Sequence, residues 1–221
     1  MNDAARRLPV VVLISGTGSN LRAIAAQAAA GALPVTIRAV VSDRAEAAGL
    51  AWARDAGLTT VELSPRDFPD RRTYDRALAD TVAGFEPGLV VLAGFMRILG
   101  AGFTSRYEGR MLNIHPSLLP KYRGLHTHRR VLEAGDAEHG ASVHFVTAEL
   151  DGGPVVLQGR LRVNSGDDEA LLAERVLEIE HRILPRAIDW FASGRLVYQS
   201  GSALLDGTPL RTPRALEEEH A

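Results

Sequence analysis

Cysteine is absent from this chain of 221 residues. Its absence excludes disulfide bonds and thiolate metal sites, and it is compatible with a reducing compartment. Aromatic residues make up only 5% of the sequence, and no apolar run has the roughly 20 residues that a membrane-spanning helix needs. We therefore expect a cytoplasmic protein without a membrane partner.

The sequence also lacks an excess of either charge, since 25 Lys and Arg residues stand against 27 Asp and Glu residues, for a net charge of −2. Proteins that bind nucleic acid usually carry a basic stripe, so we expect no nucleic-acid partner. Small basic clusters occur at Arg71 and Arg72 and around Lys121. A solvated surface is the commoner explanation of such clusters, and a small anionic ligand is the alternative. We expect small-molecule substrates and a monomer or homodimer.

Segments typical of strands and of helices alternate through the first half of the chain. Apolar or β-branched runs at residues 9–14, 35–41, 59–63 and 89–93 predict strands, and Ala-rich or amphipathic runs at 20–30, 45–56 and 71–83 predict helices. The continuous apolar runs are typical of strands covered on both faces. This alternation predicts an α/β fold with a single doubly wound, mostly parallel sheet and right-handed crossovers.

The later segments depart from this alternation. Residues 141–147 and 155–163 predict strands whose connection through Asp-Gly-Gly-Pro is too short for a helical crossover, so we expect antiparallel strands toward the C-terminal end. Residues 167–191 predict a long helix that Pro185 could kink, and the tail from Arg195 predicts one or two short strands. We expect a single domain over residues 1–221, with a poorly ordered tail from about residue 208.

The loop after the first strand reads Ser-Gly-Thr-Gly-Ser-Asn, residues 15–20, and leads directly into the first helix. Glycines allow a tight turn, and the free N–H groups and dipole of the helix attract an anion, which predicts a phosphate site. Ser19 and Asn20 are also good helix caps, so capping explains part of the pattern. A dinucleotide site would need a third glycine where Leu21 stands, although Asp43 follows the second strand, where a ribose-binding acid would lie.

The loop after the fourth strand reads Ala-Gly-Phe-Met-Arg-Ile-Leu-Gly, residues 93–100. Ligands of such sheets bind beyond the carboxyl ends of the strands. This segment offers an apolar surface there for a flat ring. The start of a core helix explains the pattern equally well.

The stretch from Arg110 to Pro120 places Asn113 and His115 two residues apart, at the end of a short apolar strand that Pro116 stops. The two side chains therefore face the same way. An amide can hold an oxyanion and an imidazole can move a proton, which together suit acyl transfer. A hydrogen-bonded structural pair is the commoner explanation of such a pair taken alone.

Asp151 precedes two glycines, a pattern that usually marks a turn. A catalytic role needs this carboxylate near His115, where it would stabilise the imidazolium and fix its orientation. The seven histidines form no zinc pattern, because His126 and His128 are two residues apart and no His-Glu-x-x-His motif occurs. We expect no metal.

Four motifs together resemble one family. They are Ile-Ser-Gly-Thr-Gly-Ser-Asn-Leu at 14–21, Ala-Gly-Phe-Met-Arg-Ile-Leu at 93–99, Asn-Ile-His-Pro-Ser-Leu-Leu-Pro-Lys-Tyr at 113–122 and Asp-Gly-Gly-Pro-Val at 151–155. Over about residues 9–199, the chain resembles the phosphoribosylglycinamide formyltransferase family, the folate-dependent glycinamide ribonucleotide transformylases of purine biosynthesis. The Asn-x-His element is shared with other enzymes that use 10-formyltetrahydrofolate, and the Gly-Thr-Gly-Ser-Asn loop narrows the resemblance to the ribonucleotide enzymes.

The resemblance implies a site and a cosubstrate, 10-formyltetrahydrofolate. The catalytic group would be Asn113, His115 and Asp151, with His126 and His144 nearby. The phosphate and ribose of the ribonucleotide would be bound by Gly18, Ser19, Asn20 and Glu180. The folate would be bound by Arg71, Met96, Arg97, Ile98, Leu99 and Asn113.

Two positions depart from the family's pattern. Arg123 stands where some relatives have proline in Lys-Tyr-Pro-Gly, and Leu177 stands where some have a lysine or glutamine that can reach the phosphate. Leu177 therefore puts one phosphate contact in doubt. Neither position belongs to the implied catalytic group.

The resemblance implies direct attack of the glycinamide ribonucleotide amine on the formyl carbon, through a tetrahedral intermediate. No covalent nucleophile is expected, because the chain has neither cysteine nor a Gly-x-Ser-x-Gly elbow. A formyltetrahydrofolate hydrolase and a methionyl-tRNA formyltransferase share the Asn-x-His core, although we expect each to carry a further domain. A nicotinamide-dependent oxidoreductase would use the same sheet with Asp43, and Leu21 argues against it. A non-catalytic folate-binding protein is the weakest alternative.

Overall fold

The computed structural model describes residues 7–216. The chain divides into two compact units, and the boundary between them falls between Asn113 and Ile114. The strand that contains this boundary carries the predicted Asn-x-His pair. The two units are described in turn.

The first unit contains a sheet of five parallel strands, in the order β5-β4-β1-β2-β3. The strands are β1 (Leu8–Ile14), β2 (Val35–Ser42), β3 (Thr60–Glu62), β4 (Leu89–Leu92) and β5 (Met111–His115). The helices between them are α1 (Ser19–Ala29), α2 (Ala48–Asp55), α3 (Arg71–Ala83) and α4 (Ala101–Arg106).

The apolar sequence of β1 explains its central place in this sheet. Its residues from Val10 to Ile14 are completely buried, as expected of a strand covered on both faces. β1 pairs with β2 on one edge and with β4 on the other, with Val12 beside Val40 and Val91. The first strand of the chain is therefore an inner strand of the sheet.

The order of the strands reverses at β1. The chain runs from β1 to β2 and β3 on one side, and then returns to β4 and β5 on the other. Right-handed crossovers place the helices of the two halves on opposite faces of the sheet. The chain consequently leaves β1 and β4 toward opposite faces of the sheet, and ligands of open α/β sheets bind at such a point.

The second unit contains an antiparallel pair, β6 (Glu138–Phe145) and β7 (Val155–Arg162), with the two-residue β11 (Arg214–Ala215) parallel to β7. A separate antiparallel sheet contains β8 (Leu196–Gln199), β9 (Ser202–Leu205) and β10 (Thr208–Pro209). The helices are α5 (Thr127–Ala134) and α6 (Glu169–Ala192).

Helix α6 packs on β6 and β7. A side chain at Gly159 in β7 would overlap the Ile179 side chain of α6, so this glycine lets the helix approach the strand closely. The helix begins after Asp168, whose carboxylate accepts a 2.8 Å hydrogen bond from the Leu171 N–H. Pro185 lies buried inside the helix.

The structure confirms the predicted fold class, a mostly parallel α/β sheet with antiparallel strands toward the C-terminal end. The predicted helix over residues 71–83 matches α3, whereas α2 begins three residues later than the predicted helix, because Ala47 has an extended backbone. The prediction of one or two strands after Arg195 is wrong, since this segment forms four. Two of them have only two residues, too few to show an alternating pattern.

The sequence predicts a poorly ordered tail from about residue 208. Part of that tail, residues 217–221, lies outside the described residues. Residues 208–216 contain β10 and β11. The single domain stays a prediction. Within residues 7–216, no helix combines the length and the apolar character needed to cross a membrane.

A pair of histidines, His139 buried and His128 half-buried, lies in the second unit. The His128 Nδ1 and His139 Nε2 atoms are 3.0 Å apart, so one N–H donates to the lone pair of the other ring. Burial lowers the pKa of both groups, and that of His139 falls to about 4. Both rings are therefore neutral at pH 7, which is compatible with their shared hydrogen bond.

We expect this pair to make the protein less stable as the pH falls. The pKa of His139 is lower in the folded state than its usual 6.5, so protons bind preferentially to the unfolded chain below pH 6.5. The loss from His139 should reach about 2–3 kcal/mol by pH 4.5. Urea unfolding at pH 7 and pH 4.5 should show a smaller pH dependence in His139→Gln than in the parent. Equal pH dependence in the two proteins would contradict this expectation.

Candidate active site

The glycine-rich loop after β1 is held against the start of α2. Gly18 has a φ of 73°, and a side chain there would lie 2.7 Å from the Gly49 Cα. The Gly49 N–H donates a 3.0 Å hydrogen bond to the Gly16 carbonyl. Gly18 therefore needs to be glycine for its left-handed backbone and for its contact with α2. The sequence analysis missed Gly49, which shows no motif of its own.

This loop presents the start of α1. Gly18 occupies the N-cap position without a side-chain hydrogen bond to the helix, and Ser19 and Asn20 are the first two helical residues. The predicted capping by Ser19 or Asn20 is thus wrong, because both lie inside the helix. The N-terminal end of the helix dipole and its backbone N–H groups remain suited to an anion. The role of Gly18, Ser19 and Asn20 in binding phosphate stays a prediction.

The loop after β4 lies next to the glycine-rich loop. The Ser15 N–H donates to the Gly94 carbonyl at 3.0 Å, and the Met96 N–H donates to the Ser15 hydroxyl at 2.8 Å. Met96 and Ile98 are more than half exposed, at 59% and 57%. Exposed apolar side chains at the reversal of the strand order are suited to a ligand with a flat ring.

Two arginines border this apolar segment. Arg71, the first residue of α3, donates a 2.8 Å hydrogen bond to the Ile98 carbonyl. The Arg97 guanidinium lies 5.1 Å from the centre of the Tyr74 ring and 3.9 Å from Asp43. The structure thus brings together the five loop and helix residues assigned to the folate by resemblance, while their binding role stays a prediction. These residues are Arg71, Met96, Arg97, Ile98 and Leu99.

Asp43 is buried beside Arg97. One of its oxygens has no hydrogen-bond partner among residues 7–216. Burial, followed by the charge of Asp43, raises the pKa of Tyr74 to about 12. Because Asp43 and Tyr74 both border Arg97, they can restrict its position. Asp43 therefore pairs with Arg97 of the protein itself. Its presence is consequently no evidence for a nicotinamide-dependent oxidoreductase.

Strand β5 carries the predicted amide and imidazole. Asn113 pairs in register with Leu92, the last residue of β4, so it lies at the same edge of the sheet as the loop that follows β4. His115 is the last residue of β5 and is 6% exposed. The two residues are separated by one position, so their side chains leave the strand on the same side.

His115 lies next to Asp151 in the second unit. Its Nδ1 atom is 3.5 Å from Asp151 Oδ2, and its Nε2 atom is 2.9 Å from the Tyr122 carbonyl. A carbonyl oxygen can only accept, so Nε2 carries a proton in this arrangement. Both ring nitrogens thus face oxygen acceptors, which an imidazolium with two N–H groups satisfies fully. The catalytic role of His115 stays a prediction.

The Asp151 carboxylate is shared among several groups. It accepts a 2.9 Å hydrogen bond from the Gly124 N–H, and its Oδ1 atom is 3.7 Å from the His144 Nε2. His144 is 2% exposed, and its Nδ1 donates to the Phe145 carbonyl at 2.8 Å. Burial lowers the pKa of His144. The sequence analysis missed the Tyr122 and Gly124 backbone groups, because backbone contacts leave no residue-type signal.

The remaining predicted residues lie elsewhere in the second unit. Glu180 is buried in α6, and Leu177 is half-buried in the same helix. His126 is exposed directly before α5, with a φ of 58°. Arg123 forms an ion pair with Glu149, two residues before Asp151. No cluster of three or more His, Cys, Asp or Glu side chains that could hold a metal occurs within residues 7–216.

These features define a doubly wound α/β protein whose strand order reverses at β1 and whose strand β5 ends at an imidazole that faces a carboxylate. A family model described as formyl transferase matches residues 8–188. The chain belongs to the formyl transferase family, and it is therefore an enzyme that transfers formyl groups.

Individual relatives show which formyl transferases this chain is similar to. The phosphoribosylglycinamide formyltransferase of Escherichia coli (strain K12) is 55% identical over 201 residues, which are 91% of this chain and 95% of that protein. A crystal structure of the phosphoribosylglycinamide formyltransferase from Coxiella burnetii is 49% identical, with a TM-score of 0.90 over 95% of this chain and 99% of that one. A trifunctional purine biosynthetic protein of Drosophila melanogaster is 41% identical over 191 residues, 86% of this chain but 14% of that protein.

We expect Gly18→Ala to destabilise the protein by about 2 kcal/mol or more, because a left-handed backbone is strained for alanine and the new Cβ would meet Gly49. Gly16→Ala is a matched control in the same loop, since nothing lies within 4 Å of a Cβ there. It should change the free energy of unfolding by less than about 0.5 kcal/mol. Urea unfolding measures both effects. Equal losses in the two variants would show that the contact with α2 does not require glycine.

Proposed function

We propose that the chain transfers the formyl group of 10-formyltetrahydrofolate to the primary amine of glycinamide ribonucleotide, in purine biosynthesis. The observation that carries this proposal is the placement of His115 against Asp151, two residues after Asn113, in a formyl transferase that is 55% identical to a phosphoribosylglycinamide formyltransferase. No metal enters the proposed reaction.

The amine nitrogen attacks the formyl carbon directly. A new C–N bond forms, and the formyl oxygen gains negative charge in a tetrahedral intermediate. The bond between that carbon and N10 of the folate then breaks. One proton leaves the amine and one arrives at N10, so the products are the N-formylated ribonucleotide and tetrahydrofolate.

Asn113 and His115 have complementary roles in this proposal. The Asn113 amide donates a hydrogen bond to the developing oxyanion. His115, as the imidazolium, stabilises the same charge and supplies the proton to N10. The Asp151 carboxylate, 3.5 Å from the His115 ring, stabilises the charged imidazolium and takes the proton of the amine through water. Preorganised donors of this kind act only where the charge develops, and so they lower the barrier itself.

The binding loops supply the rest of the site. The glycine-rich loop, with Gly18, Ser19 and Asn20, binds the ribonucleotide phosphate at the start of α1, and Glu180 contacts the ribonucleotide. The folate ring lies on the apolar segment after β4, with Arg71 and Arg97 available for its carboxylates. A cytoplasmic location and a monomeric or homodimeric state stay predictions from the sequence.

An absorbance assay of deformylation of 10-formyl-5,8-dideazafolate tests the function directly. The assay is run with and without glycinamide ribonucleotide. Turnover that requires the ribonucleotide supports the proposal. Turnover without the ribonucleotide indicates a hydrolase, and the absence of turnover in both reactions contradicts the proposal.

We expect Asn113→Ala and His115→Ala each to lower kcat about 100-fold or more, because each removes a preorganised donor to the transition state. Asp151→Asn should also lower kcat, since it removes the charge facing His115. The same assay measures the loss, and urea unfolding checks that the variants fold. Asn164→Ala, at an exposed loop position, is the control and should retain activity. Turnover like that of the parent in Asn113→Ala or His115→Ala would eliminate the proposed role of that residue.

A further inference from the structure

Backbone groups of one loop fix the His115–Asp151 pair. This loop, residues 117–126, joins β5 to α5, and we call it the 117–126 loop. Its Tyr122 carbonyl lies 2.9 Å from His115 Nε2, and its Gly124 N–H lies 2.9 Å from Asp151 Oδ2. Tyr122 and Gly124 have left-handed backbones, with φ of 56° and 78°. The position of this loop therefore determines where the imidazole and the carboxylate lie.

The first part of the loop is tied to Asp136. The Lys121 ammonium and the Tyr122 hydroxyl both donate to Asp136 Oδ2, at 2.8 and 2.9 Å. The Ser117 hydroxyl donates to the Lys121 carbonyl at 2.6 Å. These bonds hold the chain up to Tyr122. They leave residues 123–125, which include the Gly124 donor, to be held by other groups.

Arg130 of α5 holds that second part. Its Nη1 donates to the Arg123 carbonyl at 2.7 Å and lies 3.4 Å from the Leu125 carbonyl. Its guanidinium also lies 5.1 Å from the centre of the Tyr122 ring. Arg130 thus contacts the loop on both sides of Gly124. Hydrogen bonds from a charged donor are stronger than neutral ones, and the contact with the aromatic face adds a further attraction.

The Arg123 side chain connects the same part of the loop to the turn that contains Asp151. It pairs with Glu149, whose carbonyl accepts a hydrogen bond from the Gly152 N–H at 3.1 Å. Both side chains are substantially exposed, at 40% and 65%. Exposed pairs add little to the free energy of unfolding, so this pair acts mainly on the relative position of the two segments.

We propose that Arg130 is a positioning residue for the formyl transfer, assisted by the Arg123–Glu149 pair. It holds residues 122–125 so that the Tyr122 carbonyl orients the His115 ring and the Gly124 N–H orients the Asp151 carboxylate. Arg130 touches neither substrate nor reacting atom in this role. The kinetic consequence of this inference rests on the proposed function, while its structural part concerns only the positions of His115 and Asp151.

The neighbouring arginine provides a matched control. Arg129 lies on the same helix and pairs with Glu169 at 3.0 Å, away from the 117–126 loop. Removing either arginine deletes the same charge and a comparable side chain from α5. Only the loss of Arg130 breaks contacts with the loop.

The kinetic experiment compares Arg130→Ala, Arg130→Lys and Arg129→Ala in the deformylation assay. Arg130→Ala should lower kcat roughly ten-fold, because small displacements of catalytic groups are costly. The KM values for both substrates should change less than about two-fold, since the binding loops are untouched. Arg130→Lys keeps a donor to one carbonyl and should recover part of the loss. Arg129→Ala should match the parent. Equal kcat values in Arg130→Ala and Arg129→Ala would overturn the proposal.

A spectroscopic measurement tests positioning without turnover. Two-dimensional ¹H–¹⁵N spectra of the imidazoles report the hydrogen bonds of each ring, and the signal of His115 is assigned by its loss in His115→Gln. Arg130→Ala should shift this signal, and Arg129→Ala should leave it unchanged. An unshifted signal in Arg130→Ala overturns the proposal. If the parent itself shows no turnover, the proposed function fails, while this spectrum still decides whether Arg130 positions His115.

Discussion

The central position of β1 is the constraint on which the candidate binding loops depend. This strand is fully buried from Val10 to Ile14 and pairs with β2 on one edge and β4 on the other. Because the chain leaves β1 toward one side and later returns on the other, the loops after β1 and β4 lie at the reversal of the strand order, where open α/β sheets bind their ligands. Ser15 keeps the two loops in contact through its N–H and its hydroxyl.

The His115–Asp151 pair of the second unit depends on backbone groups to a similar extent. Asp151 is only 9% exposed, and a buried carboxylate is costly unless it is paired and hydrogen-bonded. The Gly124 N–H and the facing His115 imidazole supply those partners. The carboxylate is consequently held by the 117–126 loop and by the last residue of β5, and its geometry follows any movement of the loop.

Burial gives the histidines of this unit different roles. Burial lowers the pKa values of His128, His139 and His144, so these rings are neutral hydrogen-bonding groups at pH 7. The Nδ1–H of the neutral His144 ring donates to the Phe145 carbonyl. The proposed mechanism assigns the mobile proton to His115, whose two ring nitrogens both face oxygen atoms.

The sequence by itself determined the parallel α/β class, the boundaries of α3 and the Asn-x-His strand, because buried parallel strands leave continuous apolar runs and amphipathic helices leave a helical period. It could not determine how many short strands form near the C-terminus, because strands of two residues show no alternation of apolar and polar residues. It could not determine the start of α2 either, because the extended backbone of Ala47 leaves no pattern in the sequence. Only the tertiary structure decided that Asp151 reaches His115, that Gly18 meets Gly49 and that Arg130 holds the 117–126 loop. Those contacts join residues far apart in the chain, or use backbone atoms that every residue type shares.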